Sequence, residues 1–149
     1  MRTSWTRRLV ATSVAGACAA AWPARAGTSR FCTRAQADPG APADGAFARD
    51  TRALARSVDL SDRGVTSPDL RRVVLRPTLC VRDGADAHYF LIAPAIADGV
   101  RTVGDLLDLA DRALRDPSAF GPGAPITRKM IAEAVQSVNL AFEGCRAVC

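Results

Sequence analysis

The chain contains one histidine, His88, and two carboxylates, Asp83 and Asp86, precede it closely. An imidazole that titrates near neutral pH beside two acids is the smallest set that can do acid–base work or hold a metal ion. The same residues have a plainer use. The stretch 83–87 is turn chemistry between two β-prone runs, and catalysis needs a cleft and an orienting partner as well. The plainer use carries the greater weight, and Asp83, Asp86 and His88 remain minor catalytic candidates.

Three further acids, Asp105, Asp108 and Asp111, recur at every third residue. On a helix they form a drifting stripe that would suit calcium or a basic partner. Arg112 and Arg115 stand four residues after Asp108 and Asp111, the favourable order for helical ion pairs, so a solvated face is the simpler reading. Arg71, Arg72, Arg76 and Arg82 cluster around Pro77 and are the candidate binding residues for an anionic partner. With so few aromatic residues there is no stacking platform for single-stranded nucleic acid. No serine lies in a G-x-S-x-G setting, and no glycine-rich phosphate loop follows a strand. No cofactor is implied.

The N-terminus bears on the cysteines. Arg2, Arg7 and Arg8 precede an uncharged run of 14 residues, Leu9 to Trp22, and Ala24-Arg25-Ala26 follows. A basic end, a short apolar core and an A-x-A site describe a secretory signal peptide cut after Ala26. The run falls short of the roughly 20 residues that a membrane-spanning helix needs. Ala15-Gly16-Ala17-Cys18 offers a competing lipobox, with Cys18 as a lipid anchor, and Arg7-Arg8 offers a twin-arginine route. Four of the 20 basic residues and none of the 15 acidic ones precede the cut, which leaves a net charge of +1. The basic balance of the whole chain is therefore poor support for a nucleic-acid partner.

Cys32, Cys80, Cys145 and Cys149 remain after such a cut. An even number in an exported chain reads as two disulfides. Cys32–Cys80 with Cys145–Cys149 is the preferred pairing. The alternative ties Cys80 to one of the terminal pair and the N-terminal stretch to the other. A structural zinc site wants paired C-x2-C spacing, which is missing, so no metal is expected.

These residues must be positioned by a short list of elements. Residues 27–45 are rich in Gly, Ala, Pro, Ser and Asp and read as a flexible lead-in. Asp44 is placed to cap a helix over 46–58 whose stripe is Phe47, Thr51, Leu54 and Val58. A turn at 61–64 leads to a second short helix opened by Ser67 and Pro68 and stopped by Pro77. Residues 78–82 and 88–92 pair as a hairpin around a five-residue loop, with 73–75 as a candidate third strand. A helix over 88–97 is the rival reading, opposed by Pro94 in its middle. Thr102 and Asp105 form a capping box for a helix carrying Val103, Leu106, Leu107, Ala110, Ala113 and Leu114 on one side. After a Pro/Gly connection, Thr127 caps a last helix, with Ile126 and Ile131 as a hydrophobic staple and Gly144 beyond its end. Val138, Leu140 and Phe142 also alternate, so the end of that helix competes with an edge strand.

The fold expectation is a small α+β domain, mainly α, over residues 46–149, with a C-terminal amphipathic helix pair, a β-hairpin and disulfide staples. A small β-rich domain with one helix is the alternative. The functional expectation is a non-catalytic binding or inhibitory protein of a bacterial envelope, periplasmic or secreted, whose partner is another protein. Three alternatives stand beside it: a small secreted enzyme using the Asp/His set, an outer-membrane lipoprotein anchored at Cys18, and a receptor-binding or toxin-associated subunit. The last rests on a general likeness, since some such subunits also combine a β element, a helix and a terminal cysteine pair.

Overall fold

The computed structural model describes residues 30–31, 43–66 and 68–149. The signal peptide, Cys18, Cys32 and Ser67 lie outside the described residues, as does most of the stretch read as a lead-in, within which Arg30 and Phe31 form a strand. The element order is β1 (Arg30–Phe31), α1 (Ala43–Asp62), β2 (Thr78–Asp83), β3 (Asp86–Leu91), α2 (Pro94–Gly99), α3 (Val103–Arg115), α4 (Arg128–Ala141) and β4 (Arg146–Val148). Single 3-10 turns at Leu70–Arg72 and Pro117–Phe120 complete it. This is a small α+β domain, mainly α, stapled by a disulfide.

Local chemistry explains the helix boundaries. The Thr102 hydroxyl accepts from the Asp105 N–H at 3.2 Å, and the Asp105 carboxylate accepts from the Thr102 N–H at 3.0 Å. Two of the four orphan donors at the start of α3 are thereby satisfied. Val103, Leu106, Leu107, Ala110 and Ala113 of its apolar stripe are buried. Thr127 accepts from the Met130 N–H at 3.3 Å to start α4. That helix runs through Ala141, so the strand alternative for 138–142 is not taken up. Val138 and Phe142 are fully buried, and Gly144 adopts the left-handed conformation (φ +76) expected just past a helix end.

α1 exceeds its expected length at both ends, starting before Asp44, which is therefore not its cap. Phe47, Thr51, Leu54 and Val58 are all buried as the stripe requires. The turn read at 61–64 is the C-terminal closure of this helix. Val65 N–H donates to Leu60 O at 2.9 Å and Gly64 N–H to Ser61 O at 3.0 Å, with Gly64 left-handed. These are the two bonds of a Schellman motif. The second helix expected after Pro68 is only the single turn Leu70–Arg72, because Asp69 is itself left-handed (φ 74) and interrupts it.

The sheet departs most from expectation. Its strands are antiparallel in the order β1-β4-β2-β3. The hairpin loop contains two residues, Gly84 and Ala85, rather than five. Gly84 has φ +62, which suits the first central position of a primed turn and lets both strands continue to Asp83 and Asp86. Residues 73–75 do not join this sheet. They make one bridge, Val74↔Thr102, at the start of α3. The third strand is β4, from the terminal cysteine stretch, which lies between β1 and β2. Pro94, taken as an argument against helix, instead opens the short α2 at its first position, where a missing N–H costs nothing.

The core lies where α1, α3 and α4 meet each other and one side of the hairpin. α4 touches both other long helices and the sheet. Leu54, Leu70, Leu106, Ile131, Val135, Val138 and Phe142 are fully buried there, together with Val81 and Ile92 from the hairpin region. Arg128 at the start of α4 lies over the Phe47 ring at 5.4 Å. The buried Asn139 donates to the Asp50 carbonyl of α1 at 3.0 Å and joins the two helices by a polar contact that periodicity does not reveal.

Candidate functional site

The hairpin register decides the fate of the Asp/His set. Asp83 stands opposite Asp86 and Val81 opposite His88. Since directly opposed residues share a face and alternate ones repeat it, all three candidates lie on one side of the hairpin. They are not assembled there. Asp83 and Asp86 are exposed at the tip, His88 is half-buried two residues further on, and no side-chain hydrogen bond or ion pair joins them. Among the described residues no group of three His, Cys, Asp or Glu side chains is arranged to hold a metal ion.

The acidic stripe of α3 divides in the same way. Asp105 is engaged in the capping box. Neither expected pairing, Asp108 with Arg112 or Asp111 with Arg115, forms among the described residues. Arg115 Nε donates instead to the Asp111 carbonyl at 3.2 Å, one turn back along the helix. An exposed ion pair is worth too little to hold the side chain against that competition. Beyond α3, Ser118 Oγ donates to the Asp116 carboxylate at 2.6 Å and keeps that acid below the usual carboxylate range.

The arginine cluster separates into halves. Arg71 Nε meets Asp62 at 3.1 Å and Arg72 meets Asp69 at 3.8 Å, around a small depression of about 210 Å³. Arg76 and Arg82 are exposed and have no ion-pair partner among the described residues. Arg76 lines a larger open groove of about 560 Å³, shared with Val74, Thr78, Val148 and the Cys80–Cys149 pair.

That disulfide corrects the preferred pairing. Cys80 is bonded to Cys149, with a Cα–Cα distance of 5.4 Å. The reason is the sheet. Val81↔Val148 and Arg82↔Ala147 bring β4 alongside β2, so the next pair in register is Cys80 and Cys149, and the Cys149 N–H donates to the Cys80 carbonyl at 3.1 Å. Cys145 is disulfide-bonded as well, hence not to Cys149. It has the left-handed conformation (φ 64) just before β4.

The outer side of the hairpin is a feature that spacing did not single out. Leu79, Val81 and half-buried Phe90 face the helices, while Thr78, Arg82, Ala87, Tyr89 and Leu91 face solvent. Tyr89 is 67% exposed and Leu91 78% exposed, and Val74 and Val148 are exposed at the groove. The run 88–92 is apolar at nearly every position, so alternation could not say which side would be left open. The result is an apolar patch with Arg82 at one end and Arg76 beside the neighbouring groove. The chain matches no protein-family model, no curated protein and no solved structure.

Proposed function

We propose that the protein is a small exported binding or inhibitory module of the bacterial envelope that acts by protein–protein contact through the open side of its hairpin. The observation that carries this reading is the patch itself. Tyr89 and Leu91 are large apolar side chains left in water beside Arg82, whose charge has no partner among the described residues. Aromatic and arginine side chains on an exposed apolar patch are the usual anchors of protein interfaces. Export is supported by the signal-like N-terminus and by a disulfide that an oxidising compartment would maintain. Among the described residues no helix is long and apolar enough to cross a membrane, which is compatible with a periplasmic or secreted location.

Leu91→Ser tests the reading. It should leave the fold unchanged, since the side chain is solvated, and should abolish capture of a partner from periplasmic extract. Retained capture would refute the assignment to this face. A hydrolase activity in the purified protein that is lost in His88→Ala would favour the enzyme reading instead. Intact mass of the exported chain separates a mature N-terminus at Gly27 from a lipid-modified Cys18.

A further inference from the structure

The outer strand of the sheet carries a specific docking geometry. Among the described residues β3 pairs with β2 alone and is an edge strand. The direction of its backbone groups follows from one bond. Ile92 N–H donates to the Pro77 carbonyl at 2.9 Å, so Pro77 and Ile92 form a hydrogen-bonded pair. Such pairs alternate along an antiparallel ladder, so Phe90, His88 and Asp86 turn their N–H and C=O groups toward β2. Ala87, Tyr89 and Leu91 turn theirs outward. The other side of β2 agrees, because Cys80, out of phase with Leu79 and Val81, bonds to Cys149.

Ser137 Oγ of α4 donates to the Leu91 carbonyl at 3.2 Å and closes that end of the edge. At Ala87 and Tyr89 no described residue covers it. Edge strands are commonly protected by proline, lysine, a bulge or a covering element. Between Ala87 and Leu91 there is neither proline nor lysine, and the register with β2 is uninterrupted.

From this geometry we infer that β3 receives an extended segment of a partner protein by strand addition, with an acidic side chain of that segment meeting Arg82. Outward N–H and C=O groups at alternate residues require an extended backbone as occupant, as in other cases of β-augmentation. The side chains set its pattern. Arg82 stands directly across from Ala87 on the solvent side, and the small Ala87 leaves the guanidinium free to reach over β3 toward an added strand. Tyr89 and Leu91 follow on the same side and would contact apolar residues of the segment. Added antiparallel to β3, the segment therefore carries apolar residues at every second position and then an acid. This rests on the proposed binding role and specifies its partner class.

Proline scanning of the edge tests it, because proline is tolerated where an N–H points to solvent. The probe is the synthetic peptide Thr-Val-Thr-Val-Thr-Glu-Thr, with a version carrying Lys for Glu as control. Hydrogen exchange at the Ala87 and Tyr89 amides should slow when the Glu peptide is added. Tyr89→Pro and Ala87→Pro should keep the wild-type circular dichroism and bind at least tenfold more weakly. A probe N-methylated at alternate residues makes the same test on the unaltered protein. Arg82→Glu should exchange the preference from the Glu to the Lys peptide.

Undiminished binding of the probe to Tyr89→Pro, or of the N-methylated probe to the wild type, would overturn strand addition. So would a concentration-dependent dimer abolished by Tyr89→Pro, which would make a second copy the occupant. If neither peptide binds while partner capture remains sensitive to Leu91→Ser, this inference fails and the binding role stands. If capture is insensitive as well, both fall.

Discussion

Removing the Cys80–Cys149 bond is the sharpest test of how this domain is held together. The two cysteines are 69 residues apart in sequence, so the bond closes a loop that includes β3, all of α2 to α4 and β4. Loop-closure entropy for a ring of that size corresponds to about 4 kcal/mol at 25 °C. Little lost packing adds to it, since Cys149 is exposed and Cys80 only half-buried. A small domain has roughly 5–15 kcal/mol of net stability, so the bond represents a large share of it. The double variant Cys80→Ala/Cys149→Ala should unfold in urea at a midpoint lower by about 2 M, taking a denaturant slope near 2 kcal/mol/M. Circular dichroism and tryptophan-independent probes of the core should report one coincident transition. A loss below about 1 kcal/mol would refute the reasoning. It would mean that β4 is held well enough by its ladders with β1 and β2, by the Cys145 disulfide and by buried Ala147.

Other outcomes follow from particular contacts. Peptide mapping under non-reducing conditions should recover Cys80 joined to Cys149 and Cys145 joined to Cys32. Cys145 is in a disulfide whose partner is not Cys149, and a Cys145–Cys149 peptide would refute it. Gly104→Ala should destabilise the protein although it favours helix. The new methyl would lie 2.7 Å from Arg71 Cγ and 3.1 Å from Arg71 O, and overpacking of about 1–3 kcal/mol outweighs a propensity gain of about 1 kcal/mol. A rise in Tm would contradict this.

Burial raises the Asp50 carboxyl above 3.8, with Arg49 opposing the shift. The folded form then binds the proton more tightly than the unfolded form. Stability falls as pH rises from 3.8 through the raised value, and the cost is fully present at neutral pH. Asp50→Asn should therefore stabilise more at pH 7 than at pH 3. An equal effect at both would show that burial does not carry the shift.

What could be read from the residues is what short-range physics decides. Thr102, Asp105 and Thr127 cap helices because a hydroxyl or carboxylate satisfies N–H groups two or three residues away. The stripes of α1 and α3 are buried because their period matches the helix. The hairpin is legible in its residue types, but its two-residue loop is not. Asp83 and Asp86 are ordinary loop residues by type, and only Gly84 at positive φ lets them pair.

What the tertiary structure alone decided involves partners far apart in the chain. The terminal cysteine stretch looked like a self-closing staple, and became a strand because β2 offered a free edge across 69 residues of separation. The sheet also chose which side of an almost uniformly apolar run would meet the helices. Phe90 turned inward with Leu79, and Tyr89 and Leu91 were left in water. Neither choice is encoded by spacing. Register is set by long-range pairing and by what the helices can cover, and a shift of one residue would have reversed which residues form the open face.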